Sequence, residues 1–367
     1  MITLRVAGID YTNFTSASVA IRLDALCNTF TFDAAAPEGK SLPFLGGEAC
    51  EVAVDGEKVL TGYIEVIDAS YSASDHTISI SGRDKTGDLL DSSIDVISDI
   101  SGVTLKQLIE RVIKQIGLDI KVIDNINPDA FSKAEDLASP EAGDNAFQFI
   151  EKYARKRQVM LTSDADGNIV IDSNSGISAT GAVQHLLGAT DNNVVECRFS
   201  YDTTGRFNSY KMASSLNPVT LGASSNDLGA LVAQSGGVLD PAIRKTRQLI
   251  LVSEVPYSSK QCIERARWES DVRKARGLRY TCTVNGFRVG GEGTELWQIN
   301  RLYQITDDFV GKQEQMLCNS VAFDYSLDGG SATALEFIGQ DAYKTFEEPI
   351  KKKSTTKLRK VSFFASA

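Results

Sequence analysis

The sequence predicts a mixed β and α+β protein in which two similar β-rich domains, barrel-like or roll-like, flank a small two-layer α+β domain. Three observations predict this fold class. Strand-like alternation of apolar and polar residues fills residues 1–100 and returns after residue 190. Two helical apolar stripes lie within residues 101–175. A 23-residue stretch with one strand, turn and strand pattern occurs near each end of the chain.

Residues 1–100 are predicted to form the N-terminal β domain. Apolar and polar residues alternate in Ser18–Leu23 and in Thr77–Ser81, so that one side of each strand faces a core. Asp55-Gly56 lies between two such runs and is typical of a two-residue hairpin turn.

Residues 101–175 are predicted to form the α+β two-layer domain. The segment VTLKQLIERVIKQIG carries a helical apolar stripe that Gly117 ends. A second helix is predicted near residues 144–157, and a hairpin follows with its turn at Ala165–Asn168. Two helices would then cover one face of a small sheet.

The remaining chain is predicted to form a linker, a second β-rich domain and a tail. Residues 173–190 are rich in Gly, Ser and Ala and indicate a linker. The second domain takes residues 190–346, with a helix at 258–277 and a mobile surface excursion at 213–240. Residues 347–367 are predicted to form a C-terminal tail with the basic segment KKKSTTKLRK. We favour a solvated end, and the alternative is a docking arm for an acidic partner or for the phosphate backbone of a nucleic acid.

The repeated pattern occupies residues 62–84 and 319–341. Aligned without a gap, both copies end in Gly-x-Asp, so that Gly339 and Asp341 echo the earlier motif. We expect two equivalent hairpins, one in each β domain, related by a pseudo-twofold axis. A subunit that shows nearly the same surface twice suits a ring whose symmetry is twice its subunit number. Chance similarity between two ordinary hairpins is the alternative.

The most distinctive local motif, Gly82–Asp91, begins at the end of the first copy. It is predicted to form a strand end, a sharp polar turn and one helical turn. Arg83 is expected to form a forked ion pair with a carboxylate such as Asp91, and Asp84 is expected to cap the following turn. We interpret Gly82, Arg83, Asp84 and Asp91 as a structural corner between two domains.

Composition excludes several classes of protein. The chain has 367 residues, of which 42% are hydrophobic and 23% charged, as in ordinary globular proteins of two or three domains. The net charge of −10 argues against a protein that binds nucleic acid along its whole length. No signal sequence and no 18-residue apolar run is visible, so neither export nor a membrane span is predicted.

No catalytic, cofactor-binding or metal site is predicted. The six cysteines form no C-x-x-C pair, and the two histidines, His76 and His185, lie in polar or linker-like contexts without a triad motif. Residues 164–168 resemble part of a calcium loop, but their glycine comes one ligand too early, and a tight hairpin turn explains them better.

At the corner motif the chain resembles a known family. SGRDKTGDLLDSS resembles the strand corner of baseplate hub proteins from Mu-type contractile-tailed phages and prophages, the tail protein P family. Three further segments resemble that family in the same order and span, with the corner, much of residues 60–345. They are FIEKYARKRQVMLTSDADGNIVI, CIERARWESDVRKARGLRYTCTVNGF and LWQINRLYQITDD.

The resemblance implies a structural protein without cofactor or catalytic residues. It implies a homotrimeric ring with two similar β domains per subunit, which meets the sixfold tail tube or other baseplate proteins on one face and the threefold central spike on the other. DNA would cross the ring during ejection without being tightly bound, and the acidic balance of the chain leads us to expect a neutral to acidic lumen. The protein would be assembled in the bacterial cytoplasm and belong to the virion.

Two other functions stay open at this point. A tail-associated peptidoglycan hydrolase would share the setting but would need a catalytic carboxylate or a Cys–His site. A secreted carbohydrate-binding β protein would need an export signal and exposed aromatic side chains, and aromatic residues make up only 8% of the chain.

Overall fold

The computed structural model describes residues 1–367 with ten gaps. The gaps are residues 36–44, 73–75, 98–101, 132–139, 141, 191, 215–233, 254–256, 292 and 345–367. The predicted tail at 347–367 therefore lies outside the described residues, as does most of the predicted excursion at 213–240.

The described residues form twenty-one strands and four helices. The strands are β1 (Ile2–Val6), β2 (Ile9–Tyr11), β3 (Ser16–Arg22), β4 (Thr29–Ala35), β5 (Ala49–Val54), β6 (Glu57–Tyr71), β7 (His76–Asp84), β8 (Ser93–Ile94), β9 (Val122–Asp124), β10 (Asp144–Asn145), β11 (Met160–Ser163), β12 (Ile169–Asp172), β13 (Ser178–His185), β14 (Val194–Tyr201), β15 (Ser209–Ser214), β16 (Gln234–Leu239), β17 (Gln248–Ser253), β18 (Leu278–Asn285), β19 (Leu302–Asp307), β20 (Lys312–Ser326) and β21 (Gly330–Gly339). The helices are α1 (Gly87–Asp91), α2 (Leu105–Ile116), α3 (Ala146–Lys156) and α4 (Ser259–Arg276).

The protein is mostly β-sheet, and one sheet of 13 strands dominates it. Its main path runs β14-β18-β21-β20-β3-β4-β7-β6-β5-β1-β2, with β19 beside β20 and β13 beside β19. Alternate side chains along these strands are buried, as the sequence pattern predicts. The buried ones include Phe30 and Phe32 from one half of the chain and Tyr280 and Phe337 from the other, all in one core. The two predicted β-rich parts therefore share a sheet and a core.

The helices of the middle segment form where the sequence predicts them. The Thr104 hydroxyl accepts from the Gln107 backbone N–H at 3.2 Å and caps α2, and Gly117 ends the helix with φ of 83°. Helices α2 and α3 bury their apolar faces together with β9 and β12. The predicted turn at Ala165–Asn168 joins β11 to β12.

The predicted linker at 173–190 is wrong, because β13 lies within it and pairs in parallel with β19. The small residues that suggested a linker have a packing role. A Cβ atom on Gly181 would lie 1.7 Å from Cγ1 of Val289, so only glycine fits there. Two residues later, Val183 is fully buried in the core.

The ends of the predicted excursion at 213–240 also belong to strands. Strands β15 and β16 pair antiparallel on either side of residues 215–233, and β17 pairs with β15 in parallel. Helix α4 packs on this small sheet. Among the described helices, none is long and apolar enough to cross a membrane.

Candidate functional site

The large sheet contains two four-stranded units with the same strand order. The N-unit is β3-β4-β7-β6, and the C-unit is β14-β18-β21-β20. Every neighbouring pair within both units is antiparallel. In each unit the last two strands form the hairpin that the sequence repeat predicts.

A β-bulge in each hairpin fixes how the two units correspond. The first bulge lies between Ile64 and Val66 on β6, and the second lies between Cys318 and Ser320 on β20. Aligning the bulges places each strand residue of one unit on a partner in the other. This structural alignment differs from the gapless sequence match by two residues in the second strand and three in the first.

The echo motif therefore does not repeat the corner. In the structural alignment Gly82 falls on Phe337 and Asp84 falls on Gly339. Asp341 lies in a turn beyond β21, where its exposed carboxylate pairs with Lys344 at 2.7 Å. In the second strand the shift of two residues keeps the same face buried, which explains why that half of the sequence pattern matched.

The two units are related head to tail, and the predicted pseudo-twofold relation is wrong. Strand β20 of the C-unit pairs with β3 of the N-unit from Ser320↔Arg22 to Ser326↔Ser16. A twofold axis would bring like edges together, with β20 beside β6 or β3 beside β14. Head-to-tail contacts generate closed rings when the rotation closes.

The predicted corner lies where the N-unit meets the middle segment. The Arg83 guanidinium donates to Glu65, the bulge residue of β6, at 2.7 Å and also to Asp91 in α1. Its pKa is raised, with hydrogen bonds to Glu65 and then Asp91 as the largest causes. The side chain thus spans the bulged strand and the first helix.

Asp84 is the buried centre of this corner, with 1% of its surface exposed. Its carboxylate accepts from the Asn28 backbone N–H at 2.8 Å, from the Thr86 backbone N–H at 3.0 Å and from the Ser163 hydroxyl. Asn28 also donates to Ser163 at 2.9 Å. Because Ser163 lies on β11, one carboxylate joins the large sheet to the middle segment. No local signal in the sequence indicates Asn28 and Ser163 as partners.

Gly82 is required by a close approach of two strands. A Cβ atom there would lie 2.1 Å from the Tyr63 carbonyl oxygen and 2.5 Å from the Phe30 ring. Neither group is the end of a flexible side chain, so an alanine would push the paired strands apart.

A second buried polar cluster surrounds Asp307 in the C-terminal half. The carboxylate accepts from the Tyr280 hydroxyl at 2.7 Å and lies 3.4 Å from Nδ1 of His185 and 3.5 Å from Sγ of Cys197. Burial raises the pKa of the Cys197 thiol, and the negative charge of Asp307 adds to that rise. A nucleophilic cysteine is activated by a lowered pKa, so the shift at Cys197 is in the opposite direction.

Acid should weaken the fold through Asp307. Burial alone would raise its pKa, but hydrogen bonds from Tyr280 and from the Val310 backbone hold the pKa below its ordinary value of 3.8. The carboxylate therefore contributes stability that is present above about pH 4 and lost as the pH falls through the folded-state pKa. We expect Asp307→Asn to show a smaller loss of unfolding free energy between about pH 5 and pH 2 than the parent chain. Urea titrations across that range measure the difference, and equal losses in both proteins would contradict the role of Asp307.

A cleft of about 700 Å³ lies beside α3 and α4. Its charged groups neutralise one another: Glu269 pairs with Arg265 at 3.2 Å and with Arg273 at 2.6 Å, and Arg276 lies 3.7 Å from Asp24. Within the described part of the chain, no group of three or more His, Cys, Asp or Glu residues is placed to hold a metal ion.

Comparisons with known proteins agree with the resemblance found in the sequence. Residues 1–84 match the model of the Mu phage baseplate assembly protein GpP-like N-terminal domain, and residues 86–173 match the second domain of baseplate hub protein gp44-like proteins. Residues 258–345 match the fourth domain of the Mu phage baseplate assembly protein GpP. The first two matches meet at the corner around Asp84.

Full-length relatives extend these matches. Baseplate hub protein gp44 of Escherichia phage Mu is 25% identical over 353 residues, which cover 93% of this chain and 88% of that protein. The crystal structure of the prophage MuSo2 43 kDa tail protein from Shewanella oneidensis has a TM-score of 0.76 and 28% identity, covering 94% of this chain and 99% of that one. The tail protein from Neisseria meningitidis MC58 has the same fold, with a TM-score of 0.77 and 20% identity over 93% of this chain and 97% of its own. The chain therefore belongs to the family of Mu-type phage and prophage baseplate hub proteins.

Proposed function

We propose that this protein forms a homotrimeric ring in the baseplate of a contractile phage or prophage tail. Family membership gives it a structural role in the baseplate. The main support for a ring is that one subunit contains two equivalent units arranged head to tail. Three subunits supply six units, which suit a sixfold tail tube, and the middle segment occurs once per subunit and keeps threefold symmetry for a central spike.

The mass of the protein in solution tests the ring. Light scattering at micromolar concentration is expected to give three times the 39.7 kDa of one chain, unchanged by added salt. Interfaces of obligate assemblies bury on the order of 2,000 Å² or more, enough to keep the trimer intact on dilution. A monomeric mass would contradict the proposal.

One face of the two units has the composition expected of a DNA channel. The side chains that alternate with the core-facing ones are mainly Ser, Thr and Ala, such as Ser18, Thr31 and Ala322. Acidic and basic side chains both lie on the same face, among them Asp33, Glu65, Asp68, Glu196, Asp324, Glu336, Arg22, Arg83, Arg198 and Arg279. This balance supports a lumen that does not hold phosphates. We propose that the basic residues of helix 258–277 and of tail 351–360 serve protein partners instead.

We expect weak binding of double-stranded DNA by the purified protein at about 0.15 M salt, because few unpaired cations face the proposed channel. Fluorescence anisotropy with a labelled duplex measures it. A truncation that removes residues 351–367 separates the contribution of the basic tail from that of the channel. Tight binding that survives the truncation would contradict a channel that does not bind DNA.

The proposal gives the protein no enzymatic role and places it in the virion, after assembly in the host cytoplasm. The lack of an enzymatic role is supported at Asp307, where Cys197 lies near His185 but burial raises the pKa of its thiol. We expect no cleared zone on a peptidoglycan zymogram. Clearing that one carboxylate substitution abolishes would favour the hydrolase instead.

A further inference from the structure

We infer that neighbouring subunits join by antiparallel pairing between the outer half of β6 in one copy and β14 of the next, in one defined register. The inference rests on the proposed ring and specifies its contacts. It follows from the correspondence between the N-unit and the C-unit, since β20 and β3 already make the equivalent contact inside each subunit.

Each of the two units has one open strand edge in the described part of the subunit. Strand β6 pairs with β5 only up to Tyr63, so that residues 66–71 have β7 on one side and no strand on the other. Strand β14 pairs with β18 and ends the main path of the sheet. Open edges present unpaired backbone N–H and C=O groups that another strand satisfies.

The exposure of aromatic side chains at these two edges indicates that each edge lacks a neighbouring strand. Tyr71 is 84% exposed, whereas its equivalent in the C-unit, Tyr325, is half-buried against the core beside β3. Tyr201 at the β14 edge is 60% exposed, whereas its equivalent, Ile21, packs on the core where β20 covers it. The same positions are thus covered at the internal junction and bare at the two ends, and head-to-tail pairing covers both at once.

The internal junction predicts the register of the external one. In the structure Asp324 lies opposite Ser18, and Tyr325 lies opposite Ala17. The alignment of the two units at their bulges makes Ser70 and Tyr71 of β6 equivalent to Asp324 and Tyr325. It makes Arg198 and Cys197 of β14 equivalent to Ser18 and Ala17. Ser70 then lies opposite the partner's Arg198, and Tyr71 lies opposite the partner's Cys197.

The chemistry of the two edges agrees with this register. Ala69 and Tyr71 on the core-facing side of β6 meet the partner's Phe199 and the partner's Cys197, which extends the apolar core. On the other side Ser70 meets the partner's Arg198, whose long side chain has room on a polar face. An even number of strands per subunit, four in each unit, also keeps every contact antiparallel around the ring.

Disulfide cross-linking tests the register in the full-length protein. The test variant carries Ser70→Cys and Arg198→Cys, which the inference places directly opposite each other. Such residues have Cα atoms about 4.5–5.5 Å apart, within the reach of a disulfide. The off-register control carries Asp68→Cys and Arg198→Cys, two residues out of step on the same face. The internal control carries Ser18→Cys and Asp324→Cys, the observed equivalent pair.

After mild oxidation, denaturing gels without reductant should show covalent dimers and trimers for the test variant. We expect at least about tenfold more of these species than for the off-register control or the parent chain, because diagonal neighbours lie too far apart to bridge. The internal control should cross-link within one chain and form no dimer. A light-scattering trimer that gives no excess of cross-linked species would overturn the register while leaving the ring in place. A monomeric mass would overturn both.

Discussion

Replacing Asp84 by alanine should destabilise the protein more than any other single polar substitution at the corner. The change leaves the backbone N–H groups of Asn28 and Thr86 and the hydroxyl of Ser163 buried without an acceptor. Each unpaired buried donor costs about 1–3 kcal/mol, and broken buried charge networks cost about 3–5 kcal/mol. We expect a loss of about 3–5 kcal/mol in the free energy of unfolding, measured by urea denaturation.

Asp91→Ala is the matched control for this prediction. It removes the other acidic member of the corner motif, which pairs with Arg83 but has 61% of its side chain exposed. An exposed ion pair contributes about 0–1 kcal/mol, so its loss should be small. Similar effects for Asp84→Ala and Asp91→Ala would show that the buried network does not hold the corner together.

Gly82→Ala should be comparably severe, for a steric reason. The new methyl group would overlap the Tyr63 carbonyl, which belongs to the paired strand β6, and the Phe30 ring, which is buried in the core. Forced overpacking costs about 1–3 kcal/mol and more where the backbone must move. We expect a loss of about 3 kcal/mol or an insoluble product, read from the urea midpoint and from soluble yield.

Gly205→Ala provides the comparison, since a Cβ atom on Gly205 meets nothing within 4 Å. Alanine at an open position changes stability by less than about 1 kcal/mol, often in the stabilising direction. If Gly82→Ala folded with the stability of Gly205→Ala, the close approach of β6 and β7 would not be a constraint in solution.

Local elements could be predicted because their signals are local. Helix α2 has its apolar stripe, its capping box at Thr104 and its glycine stop within one short segment. The hairpin turn at Asp55-Gly56 takes positive φ at both residues, as that dipeptide indicates. Alternation along β6, β7, β20 and β21 gave the two hairpins for the same reason.

The relation between the hairpins could not be predicted, because it depends on two bulges and on pairing between distant strands. A bulge adds one residue to one strand and leaves no residue type that marks it. The gapless match therefore missed the register around Glu65 and Asn319. The β20·β3 junction, which sets the head-to-tail order, joins residues about three hundred positions apart and has no local signal.

The corner could be predicted only in part. Sequence spacing brought Arg83 and Asp91 within reach of each other, and the structure places them in contact. The role of Asp84 depends on Ser163, which a separate strand brings to it. The linker prediction failed at Gly181 because a glycine needed for close packing has the same identity as a glycine in a flexible segment. The boundaries predicted at 1–100, 101–175 and 190–346 stay predictions.

In the proposed ring each subunit contributes two equivalent units, head to tail, to a closed circle of six. End-on averages of the purified protein by cryo-electron microscopy would show this arrangement. The proposal predicts a ring of three subunits whose wall repeats a four-stranded sheet segment six times around an open channel, with β6 of each copy continuing into β14 of the next. Single subunits, an open chain of subunits, or a ring in which β3 or β20 lies at the contact between copies would contradict it.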